Sequence, residues 1–169
     1  MPWPLQLDPV RASALAASVG WAAGSAALML APRSLGTRVG WLAGWLVLCG
    51  HVLIAFSVAH GWSHAAAFDH AERMAGVGAG VYVNEVFLVV WGLDAAWLLV
   101  APTRYAVRPR WVGRAVHGFL AFILANATVV YGTPAAKLVG AMMFAGLTAL
   151  AWGTRPRLPR PPCPLPAKR

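Results

Sequence analysis

Four of the five histidines fall close together, at His51, His60, His64 and His70, and the fifth is His117. Imidazole nitrogen suits Zn, Cu, Ni and Fe, and Asp69, Glu72 or Glu85 is close enough in sequence to complete a metal site. His60 and His64 have the i, i+4 spacing that puts two ligands on one helix face, but Gly61 and Ser63 interrupt the interval. His64 and His70 lie about 240° apart around a helix, so both meet one ion only if the chain folds back. The pattern matches no standard signature such as HExxH. A bis-His haem between His51 and His117 is the other cofactor these residues suggest. Their depths along the helices differ by about 7 Å at 1.5 Å per residue. The expected arrangement of His60, His64 and His70 is therefore divergent, with the rings at an interface rather than on one ion.

A second group is defined by where ionisable side chains ought not to be. His51, Glu85, Asp94 and His117 interrupt long apolar runs, with Asn84 and Asn126 as uncharged companions. In hydrocarbon, Asp, Lys or Arg costs at least ~2.5–3.5 kcal/mol, so each such residue must face a partner or a cavity. Counting at 1.5 Å per residue puts Asp94 and His117 both about 20 Å from one boundary, and Glu85 and Asn126 both about 6 to 8 Å from it. Equal depth predicts two interhelical pairs, Asp94 with His117 and Glu85 with Asn126. Arg114, one turn before His117, is a further partner for Asp94.

These residues need helices to carry them, and the composition says of what kind. The chain of 169 residues is 59% hydrophobic and only 11% charged, with a mean hydropathy of +0.62. A soluble domain of this size carries about 25% charged residues. Soluble enzymes, disordered chains and coiled coils are thereby excluded. Five stretches reach the roughly 20 apolar residues that cross a bilayer: Ala12 to Ala31, Val39 to Ala59, Val81 to Ala101, Trp111 to Tyr131, and Pro134 to Trp152. The first is too long for a signal-peptide core and ends at Leu30-Ala31-Pro32 without a small-x-small cleavage site, so it is expected to stay as an anchor. The fold class expected is an all-α integral membrane protein: one five-helix bundle over residues 1–153 and a basic, proline-rich tail over residues 154–169. Between the second and third spans, Ser63 is placed to cap a short interfacial helix. Its Phe68 and Met74 would face the membrane, and Gly76, Gly78 and Gly80 would end it.

The net charge of +9 sits at helix ends, which is a topology signal and not a nucleic-acid footprint. Arg33, Arg38, Arg104, Arg108, Arg110, Arg114, Arg155, Arg157, Arg160, Lys168 and Arg169 fall on one side, against Arg11, Arg73 and Lys137 on the other. The positive-inside rule then puts the C-terminus in the cytoplasm and the N-terminus outside, in a bacterial inner membrane. Trp41, Trp97, Trp111 and Trp152 fit an inner aromatic belt, and Trp3, Trp62, Tyr82 and Tyr131 an outer one. Gly20 and Gly24 in the first span, and Gly40 and Gly44 in the second, form small-xxx-small pairs suited to close helix packing within the bundle. His51 shares the helix face of Gly40 and Gly44 and should point at a neighbouring helix. Cys49 lies inside the second span and Cys163 in the expected cytoplasmic tail, so no disulfide joins them, and neither belongs to a CxxC.

No catalytic motif is present: there is no Walker A, GxGxxG or GxSxG. Three readings stay open. The first is a small non-catalytic inner-membrane protein, subunit or accessory of a membrane complex. The second is a metal- or haem-binding redox or metal-handling protein using His51, His60, His64, His70 and Glu85. The third is a transporter or proton-coupled channel using Glu85, Asp94 and His117. The partners implied are the bilayer and other membrane subunits or a second copy of the chain, with no nucleic acid.

Overall fold

The structure, a computed structural model, describes residues 8–154; the proline-rich tail, Trp3 and Cys163 lie outside them. The described chain is all-helical: α1 (Pro9–Leu30), α2 (Leu35–Ile54), α3 (His64–Ala75), α4 (Gly80–Val100), α5 (Pro102–Ala106), α6 (Arg110–Ala125) and α7 (Pro134–Gly153). Two π-helical turns, Ala55–Ala59 and Asn126–Val130, extend α2 and α6. With those extensions, five helices are long and apolar enough to cross a membrane, at Pro9–Leu30, Leu35–Ala59, Gly80–Val100, Arg110–Val130 and Pro134–Gly153. Each matches an expected span to within a few residues.

The caps explain the boundaries. Asp8 accepts from the Val10 backbone N–H and Pro9 starts α1, so this helix begins a turn earlier than Ala12. Ser34 caps α2 by accepting from the Thr37 N–H, which draws Arg38 into the helix. The break after Val100 has a consequence that the apolar pattern did not show. Pro102 stops α4 and also serves as the first residue of the short α5, because its fixed φ suits a helix start. That extra turn folds Tyr105 and Arg108 back beneath the end of α4.

The helices run up and down. One end of the bundle gathers the α2–α3–α4 connection and the starts of α1 and α7, and is called here the histidine end. The other gathers the α1–α2 and α4–α6 connections and is the arginine end. Helix α1 packs on α2 and α7, α2 on α4, α4 on α6, and α7 on the π turn of α6. The core is built from Trp21, Trp41, Leu48, Phe87, Trp91, Leu98, Leu120 and Leu124.

Glycines set the closest approach. A Cβ on Gly20 would stand 3.2 Å from the Gly44 Cα, and one on Gly24 would meet the Trp41 ring. Gly20, Gly24 and Gly44 thus serve packing between α1 and α2, as the small-xxx-small reading anticipates. Gly40 does not: nothing lies within 4 Å of its Cβ position. Trp41 also departs from expectation. It is 0% exposed and belongs to the core, not to an aromatic belt, whereas Trp97, Trp111, Trp152, Trp62, Tyr82 and Tyr131 are exposed.

Helix α3 forms where Ser63 predicts it, with Ser63 Oγ accepting from the Ala66 N–H. It ends at Gly76, whose φ of 69° is the left-handed conformation glycine adopts without strain. Met74 and Phe68 are both exposed, and the Phe68 ring also folds over Gly78, where a Cβ would collide with it. The Glu72 carboxylate accepts from the Gly78 N–H and closes the loop into α4.

Candidate functional site

Five elements converge at the histidine end around a cavity of about 320 Å³. Helix α1 contributes Val10, Ala14, Ala17 and Ser18, and α2 contributes Leu48, His51 and Val52. Helix α3 contributes Ala67, His70 and Ala71, while α4 contributes Val81, Asn84, Glu85, Phe87 and Leu88. Both π turns reach it, through Ala55 and Phe56 on one side and Ala127 on the other. The wider π turn displaces side chains from the α-helical register, and such turns recur at binding sites. Amphipathic α3 lies across the mouth, with Ala67 buried beneath it.

The wall carries polar groups from His51, His60, His70, Asn84 and Glu85. His51 Nδ1 lies 3.0 Å from Ser13 Oγ, whose own proton has Pro9 O as an acceptor at 2.7 Å. The contact ties the start of α1 to α2 beside the cavity. The His60 and His70 rings meet edge to face with centroids 5.3 Å apart, and Phe56 packs on both His60 and His64. Burial, and after it the neighbouring His70, hold His60 below the ordinary imidazole pKa. It thus stays neutral to lower pH than a free histidine. His64 turns from the pair towards Glu85, with 3.3 Å between Nδ1 and Oε1. That Glu85 oxygen is buried and accepts no hydrogen bond. Among the described residues, no three His, Cys, Asp or Glu side chains are grouped to hold a metal ion.

The expected Glu85–Asn126 pair is not made. Asn126 Nδ2 donates to Phe122 O, 2.8 Å away, one turn back in its own helix. Equal depth does not ensure equal facing, and a carbonyl four residues back is the nearest acceptor for a side-chain amide.

The second polar site lies towards the arginine end. Asp94 is engaged on every side: Arg108 Nη1 donates to Oδ1 at 2.8 Å, and Trp41 Nε1 and Tyr105 OH donate to Oδ2 at 3.0 Å each. His117 joins the same group without bonding Asp94 directly. Its Nε2 is 3.2 Å from Arg108 Nη2 and 3.5 Å from Tyr105 OH, and its ring packs 5.6 Å from Trp41. The two residues expected to pair do share one cluster, joined through Arg108 and Tyr105. Arg114 is not the cation involved. Arg108 reaches Asp94 because α5 reverses the chain and because Gly113 has no side chain where the guanidinium passes, 3.2 Å from its Cβ position. The guanidinium also lies 3.5 Å above the Tyr105 ring, a cation–π contact. Burial, then the Asp94 charge, push the Tyr105 hydroxyl well above its ordinary pKa, which keeps it a donor.

The two sites do not connect. On α4, Glu85 and Asp94 are about 13 Å apart along the axis at 1.5 Å per residue. Buried Leu48, Phe87 and Trp91 fill the space between. His51 lines the histidine-end cavity and His117 a different groove at the arginine end, so they do not face one haem.

The class that fold and site define is an all-helical bundle with five helices of membrane-spanning length and a small cavity at one end. Comparison with protein-family models, curated proteins and solved structures finds no match to this chain.

Proposed function

We propose that this protein is a non-catalytic, multi-pass accessory protein of a bacterial inner membrane that holds a small ligand in the histidine-end cavity. The ligand class is a small, largely apolar molecule bearing a hydrogen-bond donor or a positive charge. One observation carries this reading: the Glu85 carboxylate stands in the cavity wall, its buried Oε1 faced by His64 Nδ1 at 3.3 Å without a hydrogen bond between them. A donor or a positive charge on the ligand completes what His64 supplies only in part. His51 and His60 add imidazole nitrogens to the same wall, while Asp94 is fully satisfied and supports folding instead.

Phenethylamine is a suitable probe, with its uncharged analogue ethylbenzene as the comparison. Titrated into the detergent-solubilised protein and followed by saturation-transfer NMR, the amine is expected to bind. Glu85→Gln should weaken it about ten- to a hundredfold, the value of a hydrogen bond to a charged group. Equal binding of amine and hydrocarbon, or an unchanged affinity in Glu85→Gln, overturns the assignment.

Orientation is part of the same proposal and rests on the excess of basic residues at the arginine end and in the tail. A reporter active only in the cytoplasm should give signal when fused after Arg169 and none when inserted beside Met74. The opposite pattern reverses the topology.

A further inference from the structure

The arginine end carries positive charge that its own acids do not balance. Of the five acidic residues, Asp8, Asp69, Glu72 and Glu85 belong to the histidine end, and Asp94 is engaged by Arg108. Arg110 and Arg114 stand exposed, one turn apart, at the start of α6. A helix N-terminus is the positive pole of its dipole, where cations are disfavoured and anions are bound. The first turn of α6 has no acidic residue, and Pro109 at its cap offers no side-chain acceptor. An anion from outside the chain would offset both the arginines and the helix end.

Beside them, a groove of about 860 Å³ runs between α1, α6 and α7. Leu28, Phe144 and Leu147 give it apolar walls. Trp21 and Ser25 also line it, 3% and 8% exposed, and Trp21 Nε1 and Ser25 Oγ have no hydrogen-bond partner. Buried donors of this kind are ordinarily satisfied. Ser25 is about 8 Å inward from the end of α1 at 1.5 Å per residue, below the level of the arginines.

We infer that this groove binds an anionic phospholipid. The phosphate sits on Arg110 and Arg114, an ester oxygen accepts from Ser25 as the glycerol enters the apolar region, and the acyl chains lie along Leu28, Phe144 and Leu147. Basic pockets between membrane helices take anionic headgroups in this way. Free phosphate satisfies the arginines alone and leaves both the buried donors and the apolar walls unused. The inference rests on membrane embedding and not on the cavity at the other end.

The test is native mass spectrometry of the detergent-purified protein titrated separately with short-chain phosphatidylglycerol, phosphatidylcholine of the same chain length, and inorganic phosphate. Phosphatidylglycerol should be retained most strongly and phosphate not at all. The Arg110→Gln/Arg114→Gln double variant should lose about thirtyfold in affinity, as expected for two arginines near an anionic headgroup. Arg104→Gln, an exposed arginine outside the groove, should leave retention unchanged. If the double variant does not fold, Ala151→Trp fills the groove with both arginines intact and should reduce retention by a similar factor. Phosphate or phosphatidylcholine binding as tightly as phosphatidylglycerol overturns the inference, as does an equal loss in Arg104→Gln. Recovery of the protein from the soluble fraction without detergent would instead overturn the membrane reading beneath it.

Discussion

Asp94→Asn is expected to destabilise the bundle by about 3–5 kcal/mol, the cost of leaving a buried charge without its partner. The substitution keeps the shape of the side chain but removes the charge that faces Arg108 at 2.8 Å, where the two side chains are 2% and 10% exposed. Arg108→Met leaves the complementary defect, an uncompensated carboxylate. Combining the two removes both charges, so Asp94→Asn/Arg108→Met should lose much less than the sum of the single variants. Tyr105→Phe serves as the scale, since it deletes one hydrogen bond to the Asp94 carboxylate, worth about 1.5–3 kcal/mol, and keeps both charges. Denaturant unfolding in detergent, analysed as a double-mutant cycle, gives the coupling. Strictly additive losses, or a Tyr105→Phe effect as large as that of Asp94→Asn, would mean that the ion pair is not what holds α4 to the α5–α6 connection.

Gly44→Leu should strongly disrupt the α1–α2 contact. A Cβ there would lie 3.1 Å from Trp91 Cζ2 and 3.2 Å from the Gly20 carbonyl carbon and oxygen. Backbone on one side and a fully buried indole on the other leave little to yield. Overpacking of this kind costs about 1–3 kcal/mol, and a branched side chain falls at or above the upper end. Gly40→Leu is the control, because no atom approaches its Cβ position within 4 Å, and it should be close to neutral. In a bilayer, apolar side chains would exchange lipid for protein at little gain, so a contact of this kind would depend on van der Waals fit and respond to shape directly. Thermal unfolding of both variants in the same detergent compares them. A Gly40→Leu loss equal to that of Gly44→Leu would mean that the close approach at Gly44 does not decide the contact.

The amino-acid sequence alone determined that the chain is helical, where its five long helices lie and where α3 begins. Those properties depend on local composition, on capping residues such as Ser63, Ser34 and Pro134, and on runs of apolar residues long enough to span a bilayer. It also located the polar residues of both sites, because an ionisable group inside an apolar run is visible without knowledge of its neighbours. Which partner each group takes was decided by the tertiary structure. Depth along a helix can be counted from sequence, but the rotation of one helix about its axis relative to the next cannot. Asp94 and His117 share one cluster through Arg108 and Tyr105, whereas Glu85 and Asn126, counted at one depth, face different partners. Arg108 was hidden for a further reason: its approach to Asp94 requires the reversal at Pro102 and the bare backbone of Gly113, two local features whose combined effect appears only when the chain has folded back. The same holds for the cavity beneath α3, which five separate elements enclose, and for the unpartnered Ser25, whose isolation is a property of everything packed around it.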